Sequence, residues 1–288
     1  MGNEKKEQPG RLNWYPGHMK KTRELIGKNL KLVDAAIELV DARIPVSSRN
    51  PVIDQILQNK KRVIVLNKSD LADPAETTRW LNRLRGSQTR ACAVDCRSGK
   101  GMEALFGILR ELQEARDAEK SVRRPLRLMV VGVPNVGKSS LINRLTGRKS
   151  AVTGNRPGVT RGKQWLTLKN GMQLLDTPGI LWPKFEDKKV GLNLAFCGSI
   201  KDEIMDLETL ALELIRVLLA DDSGLLETRY KIEEISQDGL EAMDQIARKR
   251  GFLFSGNRID YERTARTILD EFRSGKIGQI TLEKAGRS

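Results

Sequence analysis

Residues 126–140 have the sequence LRLMVVGVPNVGKSS, which decides the fold that this chain can adopt. The first six positions are mostly apolar and are typical of a buried strand. The next eight match the pattern G-x-x-x-x-G-K-[ST], and an amphipathic helical segment follows. In this setting the glycines let backbone N–H groups turn toward a phosphate, and the helix N-terminus adds its positive end. The stretch therefore predicts an α/β domain with a phosphate-binding loop.

Six consecutive residues of this stretch are expected to contact phosphate groups, and they are Asn135, Val136, Gly137, Lys138, Ser139 and Ser140. Lys138 would bridge the β- and γ-phosphates of a nucleotide, and the hydroxyl group of Ser139 would bind Mg²⁺. The loop thus predicts a nucleotide ligand with Mg²⁺ as its cofactor.

Two further segments predict the remainder of the phosphate site. The sequence DTPG begins at Asp176 after a predicted strand, so this carboxylate would hold Mg²⁺ through water. Gly179 would offer its N–H to the γ-phosphate. The sequence RPGVT ends at Thr160 and predicts a switch loop, whose hydroxyl completes the metal shell when the γ-phosphate is present. Thr153 is the rival candidate for that hydroxyl.

The sequence NKSD begins at Asn67, directly after the buried strand RVIVL. Asp70 would accept hydrogen bonds from N1–H and the exocyclic amine of guanine, a donor pair that adenine lacks. Asn67 would contact the N7 side of the base, and the stem of Lys68 would pack along its plane. Cys96 and Arg97, after the next strand, would give a backbone N–H to O6 of guanine. These residues predict a guanine site, and hence GTP and GDP as ligands.

The guanine motif precedes the phosphate motif along the chain, which reverses the order found in Ras-like GTPases. The reversal is physically acceptable because such loops all project from the carboxyl ends of strands in one parallel sheet. A charged connector at residues 116–125 would join the original termini, and the new cut would fall just after residue 179. We therefore predict a Ras-like P-loop GTPase domain with circularly permuted motif order, followed by a small all-helical C-terminal domain.

Apolar runs alternate with amphipathic stretches and predict the individual elements. Strands are expected at residues 35–40, 62–66, 89–94, 126–131, 164–168 and 172–175, and helices near 52–58 and at 74–84, 102–115, 138–145, 208–219, 240–248 and 263–272. Strand signals vanish after about residue 190. We therefore place the GTPase domain, with an N-terminal basic helix, at residues 1–190 and a helical domain at residues 191–288.

The chain of 288 residues carries 51 Lys and Arg against 37 Asp and Glu, a net charge of +14. A globular protein with this excess is expected to bind a polyanion, with nucleic acid as the default partner and an anionic membrane as the second. The excess is zoned: residues 121–175 contain no carboxylate, whereas residues 202–244 are strongly acidic. Such zoning predicts an oriented basic surface.

Cysteine usage and the absence of apolar segments bear on the compartment. Cys92, Cys96 and Cys197 have no C-x-x-C spacing, which favours a reducing compartment. The N-terminal MGNEKKEQPG lacks the apolar part of a secretory signal, and no apolar run reaches membrane-spanning length. We expect a cytoplasmic protein with no membrane partner, and a monomer by default.

These motifs, in this order, resemble the circularly permuted YlqF-type GTPases, and the resemblance covers nearly the whole chain. It extends to WYPGHM from Trp14, DARIP from Asp41, GILWPK from Gly179 and KRG from Lys249. The resemblance implies a GTPase that helps mature the large ribosomal subunit, is slow until activated by that target, and has an RNA-binding C-terminal domain. It also makes Asn135 a candidate ligand of K⁺, so that K⁺ is a second, hypothetical cofactor.

The sequence also poses a question about hydrolysis. The position after Gly179, where GTPases commonly carry a water-orienting glutamine, holds Ile180, whose side chain cannot hold water by hydrogen bonds. The chain contains one histidine, His18. The family resemblance implies that His18 is the catalytic group, and the alternative is an RNA contact or a packing residue.

Three rival functions stand beside a ribosome-assembly GTPase. A GTP switch acting on another anion, such as tRNA or a membrane surface, would also bind in a salt-dependent way but would not co-sediment with large-subunit particles. An ATPase with an accidental NKSD sequence would prefer ATP over GTP. An RNA-binding module without turnover would leave the nucleotide motifs unexplained.

Overall fold

A six-stranded sheet forms the centre of the N-terminal part of the molecule. The computed structural model describes residues 27–49, 57, 60–119, 123–147, 165–175, 187–200, 202 and 206–286. The strands of the sheet are β1 (Ala35–Asp41), β2 (Lys61–Asn67), β3 (Thr89–Ala93), β4 (Arg127–Val131), β5 (Trp165–Thr167) and β6 (Gln173–Leu175). Their order is β3-β2-β1-β4-β6-β5, with β5 antiparallel and the other pairs parallel. All six lie within one residue of the expected bounds.

The central strand β1 sets the register of the sheet. All seven of its residues are buried, as expected for a parallel strand covered on both faces. Asp41 at its carboxyl end pairs with Asn67 at the end of β2, and Ala35 pairs with Leu128 of β4 on the other side. Because the strands run parallel, the loops that leave β1, β2 and β4 emerge at the same edge.

Residues 27–30 are helical, and eight helices are described over their full length: α1 (Pro74–Leu84), α2 (Met102–Glu119), α3 (Lys138–Thr146), α4 (Lys188–Phe196), α5 (Leu207–Asp222), α6 (Gly224–Tyr230), α7 (Gly239–Arg250) and α8 (Tyr261–Arg273). Five of them begin after an aspartate whose side chain accepts a hydrogen bond from a first-turn N–H, the preferred way to satisfy those donors. None of the described helices is both long and apolar enough to cross a membrane.

The hydrophobic core is continuous between the sheet and the C-terminal helices. One cluster of buried side chains contains Leu39 and Ile44 near β1, Phe196 of α4, Leu214 of α5 and Phe272 of α8. Helix α5 lies at the centre of the helical part and packs against α4, α7 and α8. The helices are therefore joined to the nucleotide-binding edge through packed side chains.

The predicted connector at residues 116–125 is wrong in its first half. Helix α2 continues to Glu119, and Arg116 is buried. The Nη1 atom of Arg116 donates to Oδ1 of Asp117 (2.8 Å) and to the oxygen of Arg124 (3.0 Å). These partners allow a charged side chain to be buried, which its residue type alone does not predict.

The C-terminal part contains two short strands, although the sequence pattern suggested none. Leu253–Phe254 (β7) and Arg258–Ile259 (β8) form a short antiparallel hairpin. Its turn contains Gly256 and Asn257, both with positive φ. These strands were not predicted, because two residues are too few to produce an alternating pattern. Helices α4 and α6 were not predicted either. The helix expected near residues 52–58 lies, apart from Leu57, outside the described residues.

Candidate functional site

The phosphate loop, residues 132–137, connects the carboxyl end of β4 to the N-terminus of α3. Its backbone is left-handed at Asn135 (φ 56°) and at Gly137 (φ 104°). A Cβ at Gly137 would lie 2.3 Å from Nδ2 of Asn67, and a Cβ at Gly132 would lie 2.5 Å from a backbone oxygen of β1. Close packing against two neighbouring elements therefore requires both glycines, in addition to the turn itself.

The ammonium group of Lys138 lies inside the phosphate loop. Its Nζ donates to the carbonyl oxygens of Gly132 (2.9 Å) and Val133 (2.7 Å). Burial lowers the pKa of Lys138 to about 8, because the charged form loses hydration. A phosphate in the loop would supply negative charge and raise that pKa again. Ser139 and Ser140 follow in the first turn of α3 and are partly exposed.

Asn67, the last residue of β2, joins three loops. Its Nδ2 donates to the carbonyl oxygen of Val136 in the phosphate loop (2.7 Å), and its Oδ1 accepts from the backbone N–H of Cys96 (3.1 Å). The guanine motif and the phosphate loop are thus in direct contact, although about sixty residues separate them in the chain. Sequence reasoning assigned Asn67 to the base and missed this bridging role. The carboxylate-bearing Asp70 of the same motif is exposed.

The loop after β3 is held in shape by its own aspartate. Asp95 accepts hydrogen bonds from the backbone N–H groups of Arg97 (2.7 Å) and Ser98 (3.1 Å). From the phosphate-loop helix, Nε of Arg144 donates to the oxygen of Cys96 (2.9 Å). Burial raises the pKa of the Cys96 thiol to about 12, so this side chain is a protonated packing group. The backbone N–H groups of Cys96 and Arg97, which the sequence assigned to O6 of guanine, already donate to Asn67 and Asp95 in this structure.

A buried ion pair at the end of β1 contacts the guanine motif through Lys68. Asp41 accepts from Nε (3.0 Å) and Nη2 (2.8 Å) of Arg43, and both residues are almost fully buried. The Nζ of Lys68 donates to the same carboxylate (2.9 Å). Burial by itself raises the pKa of Asp41, but Arg43 and Lys68 lower it far below its usual range, so the carboxylate stays ionised.

This ion pair also reaches the helical part of the molecule. The guanidinium group of Arg43 lies 5.4 Å from the centre of the Phe272 ring on α8. The sequence drew attention to Asp41 and Arg43 only through the family resemblance, and a charged pair at a strand end gave no signal of its own. The head of Lys68 is fixed by Asp41, which leaves the predicted base contact to the stem of that side chain.

The helical part contacts the phosphate loop directly. Nδ2 of Asn135 donates to the carbonyl oxygen of Gly198, just after α4 (2.9 Å). The amide nitrogen makes this bond, so Oδ1 of Asn135, the atom that a cation would need, is not used by it. The structure therefore adds a contact with the helical part to a residue that the family resemblance made a candidate ligand of K⁺.

Four of the predicted site residues lie outside the part of the chain that the structure describes: His18, Thr160, Asp176 and Gly179. The rival Thr153 lies outside it as well. Among the described residues no group of three or more His, Cys, Asp or Glu could hold a metal ion. The Ser139 hydroxyl nonetheless suits Mg²⁺, which is commonly bound by one or two protein oxygens together with substrate phosphates.

A guanine motif after β2 and a phosphate loop after β4 thus meet at one edge of a parallel sheet, with the guanine motif first in the chain. This combination defines a P-loop GTPase with circularly permuted motif order. Two sequence families agree with it. The family described as 50S ribosome-binding GTPase matches residues 127–249, and the family described as RsgA GTPase matches residues 52–186. The second match contains the two motifs in the same reversed order.

Relatives at high identity define the family more narrowly. Ribosome biogenesis GTPase A of Priestia megaterium is 48% identical over 94% of this chain and 96% of its own length. The Bacillus cereus protein of the same name is 44% identical over 94% and 93%. The crystal structure of GNP-bound YlqF from T. maritima matches with a TM-score of 0.65 and 28% identity, over 93% of this chain and 100% of that one. The chain belongs to the ribosome biogenesis GTPase A family and is a GTP-hydrolysing enzyme that acts in ribosome biogenesis.

Proposed function

We propose that this GTPase binds the precursor of the large ribosomal subunit through its rRNA and promotes late maturation of that particle. The contact of Asn67 with both Val136 and Cys96 carries the nucleotide part of the proposal, because it brings a guanine motif and a phosphate loop into one site. The names of the relatives and the net charge of +14 support a ribosomal polyanion as the partner.

At the phosphate end, residues 135–140 and Gly179 bind the phosphates. Lys138 already lies inside the loop, where a phosphate would replace its carbonyl partners. Mg²⁺ neutralises charge on the β- and γ-phosphates when bound. Ser139, Thr160 and, through water, Asp176 are its proposed protein partners, and Asn135 is the proposed partner of K⁺.

At the guanine end, the Asp70 carboxylate selects the base. Its exposure at the carboxyl edge of the sheet leaves it accessible to a ligand. In Asp70→Asn, an amide N–H faces the exocyclic position, where xanthine presents an oxygen in place of the guanine amine. We expect this variant to lose GTP affinity and gain XTP affinity, measured by competition against a fluorescent nucleotide. An unchanged preference for GTP would remove Asp70 from base recognition, and a preference of the wild type for ATP would favour the rival ATPase.

His18 is the proposed catalytic group that orients the attacking water. The His18→Ala variant should keep its affinity for GDP and for a non-hydrolysable GTP analogue while losing most of kcat. Turnover in the presence of ribosomal particles is the relevant measurement, because the basal rate is expected to be low. A variant with wild-type turnover and weakened particle binding would instead assign His18 to an RNA contact.

The β7–β8 hairpin is the surface that best fits an RNA partner. Phe254 is 55% exposed, and it lines an open pocket together with Arg248 and Arg258. In the described part of the chain neither arginine forms an ion pair with a carboxylate. An exposed aromatic ring can stack on an unpaired base while neighbouring cations neutralise phosphates.

Two substitutions separate these contributions. Arg258→Ala should reduce the slope of log K against log salt by about 1, because one phosphate contact is lost. Phe254→Ala should weaken RNA binding by about 1–3 kcal/mol without changing that slope. Leu240→Ala, at another exposed apolar residue, is the matched control and should change neither. Wild-type binding by all three variants would move the RNA contact away from the hairpin.

The decisive experiment concerns the particle itself. The chain is incubated with ribosomal particles from assembling cells in the presence of a non-hydrolysable GTP analogue or GDP, and then sedimented. We expect co-sedimentation with large-subunit precursors in the analogue and release in GDP. Association with tRNA or anionic vesicles alone, with no nucleotide-dependent particle binding, would overturn the proposal in favour of another anionic target.

The remaining proposals follow from this function. A factor that assembles bacterial ribosomes works in the cytoplasm, and we propose that location for the chain. We further propose that it acts as a monomer, with its GTPase domain at residues 1–190 and its RNA-binding domain at residues 191–288.

A further inference from the structure

The chain does not end in the helical part. After α8 it runs back across the GTPase part, and we call residues 276–286 the C-terminal strap. At its far end, Nε1 of Trp80 donates to the oxygen of Glu283 (2.7 Å), and the N–H of Ala285 donates to Oε2 of Glu76 (2.8 Å). The strap is therefore attached to helix α1 of the GTPase part, which is far from the strap in sequence.

The middle of the strap lies against the guanine loop, residues 68–73. Nε2 of Gln279 donates to the backbone oxygen of Asp70 (3.0 Å), and the N–H of Ile280 donates to the oxygen of Leu71 (3.0 Å). The hydroxyl of Thr281 accepts from the N–H of Asp73 (3.1 Å). Three consecutive residues of the strap thus bind three positions of the guanine loop.

The strap is also fixed to the segment that leaves β1. The N–H of Leu282 donates to the oxygen of Arg43 (2.8 Å), and the Glu283 carboxylate accepts from the N–H of Ser47 (3.1 Å). Asn193 of α4 donates to the same carboxylate (3.0 Å). Hydrogen bonds hold the strap on both sides of the guanine loop. The strap can therefore act as a fixed support for that loop.

Support of this kind has a specific consequence for the guanine loop. On the inner side the loop is held by the N–H of Ser69, which donates to the oxygen of Val94 (3.2 Å). Its outer side, at Asp70 and Leu71, is held by the strap. Asp70 is exposed, so packing does not hold its carboxylate in place. The direction of the carboxylate therefore depends on the position of the backbone of the guanine loop.

We propose that Gln279, Ile280 and Thr281 of the C-terminal strap are positioning residues for guanine recognition, holding the guanine loop so that Asp70 meets the base. The proposal rests on the proposed role of Asp70. It assigns part of the base specificity of the GTPase domain to residues that follow the last helix, α8, in the chain.

The test compares GDP with IDP, since hypoxanthine lacks the exocyclic amine that Asp70 would bind. The affinities of both nucleotides are measured by calorimetry for wild type, Thr281→Val and the matched control Thr281→Ser. Thr281→Val removes the acceptor of the Asp73 N–H at constant shape, and we expect the GDP-to-IDP affinity ratio to fall about three- to tenfold. Thr281→Ser keeps the hydroxyl and should keep the ratio.

The outcomes distinguish a failure of the positioning role of the strap from a failure of the proposed guanine site. Equal weakening of GDP and IDP binding, or an unchanged ratio in Thr281→Val, overturns the positioning role. Gln279→Ala changes an exposed side chain, so it gives the same reading if Thr281→Val folds poorly. Asp70→Asn is measured in parallel: if it leaves the ratio unchanged, the proposed guanine site itself fails, whichever way the strap variants behave.

Discussion

The two ends of the nucleotide site are built in opposite ways. Among the residues that the structure describes, the phosphate end is one continuous segment, in which residues 132–139 supply the loop, the lysine and the first turn of the helix. The guanine end is assembled from the ends of β1 and β2, the loop after β3 and the C-terminal strap. The phosphate end relies on backbone geometry, and the guanine end on contacts between distant segments.

This difference explains how the chain tolerates circular permutation. A local loop keeps its shape wherever the chain is cut, provided that its strand and helix remain attached. The guanine end depends on tertiary contacts such as that between Asn67 and Val136, which form irrespective of motif order. We therefore expect substitutions at the guanine end to affect folding and specificity, and substitution of the Lys138 side chain at the phosphate end to lower affinity without a loss of stability.

The largest effect on stability is expected at the buried Asp41–Arg43 pair next to the guanine motif. Asp41→Asn removes the only carboxylate bound to the buried Arg43 in the described structure, and should lower the free energy of unfolding by about 3–5 kcal/mol. Urea denaturation measures this loss. Glu119→Gln, which removes an exposed pair with Lys61, is the control and should cost less than about 1 kcal/mol. Equal effects would mean that the buried pair does not support the guanine end.

At the phosphate end, Lys138→Met should weaken GTP binding by about 2–3 kcal/mol, because a charged hydrogen-bond donor to phosphate is lost. The same change removes a partly desolvated charge, so stability should stay the same or rise. Titration calorimetry and urea denaturation check both. The GDP-to-IDP ratio should not change, and a change would show that the two ends are not separable.

Asn67→Ala tests the bond between the two ends. It leaves the carbonyl of Val136 and the N–H of Cys96 without their partner, which should weaken GDP binding by about 1–2 kcal/mol. Unlike Lys138→Met, this variant should also lose stability, and calorimetry together with thermal unfolding measures both losses. A loss of affinity without any loss of stability would assign Asn67 to the base alone.

The smallest effect is a pH dependence at the phosphate end. In the free protein the pKa of Lys138 is about 8, and a bound phosphate raises it, so binding takes up a proton above that pH. Affinity for GDP should be constant below about pH 7.5 and should fall by up to about tenfold per unit above pH 8. Affinities measured between pH 7 and 9 check this, and Lys138→Met should show a flat profile. A flat wild-type profile would contradict the low pKa.

The contrast between the two ends also sets what the sequence can predict. The strands, the phosphate loop and the α/β class follow from local patterns, because residues 126–146 show their strand, glycines and helix in order. Lys138 could be placed from the motif alone. Asn67 and Asp70 were recognised by their neighbours in sequence.

Tertiary partners were beyond the reach of sequence patterns. Arg116 is a charged residue in a charged stretch, and its burial depends on a carbonyl eight residues away. Thr281 has no motif, and its role appears only once the strap lies beside Asp73. The β7–β8 hairpin is too short for any periodic signal. Each omission concerns a contact whose two partners are unremarkable when considered separately.

The helical part touches the nucleotide edge through Gly198 at Asn135, and the strap that follows α8 touches the same edge through Thr281 at Asp73. The binding of nucleotide and the binding of a partner to those helices are then thermodynamically coupled, and the coupling is reciprocal. A partner that holds them more tightly when one nucleotide is bound must strengthen the binding of that nucleotide by the same factor. Nucleotide exchange on this protein can therefore serve as a reporter of its docking, observable without any label on the partner.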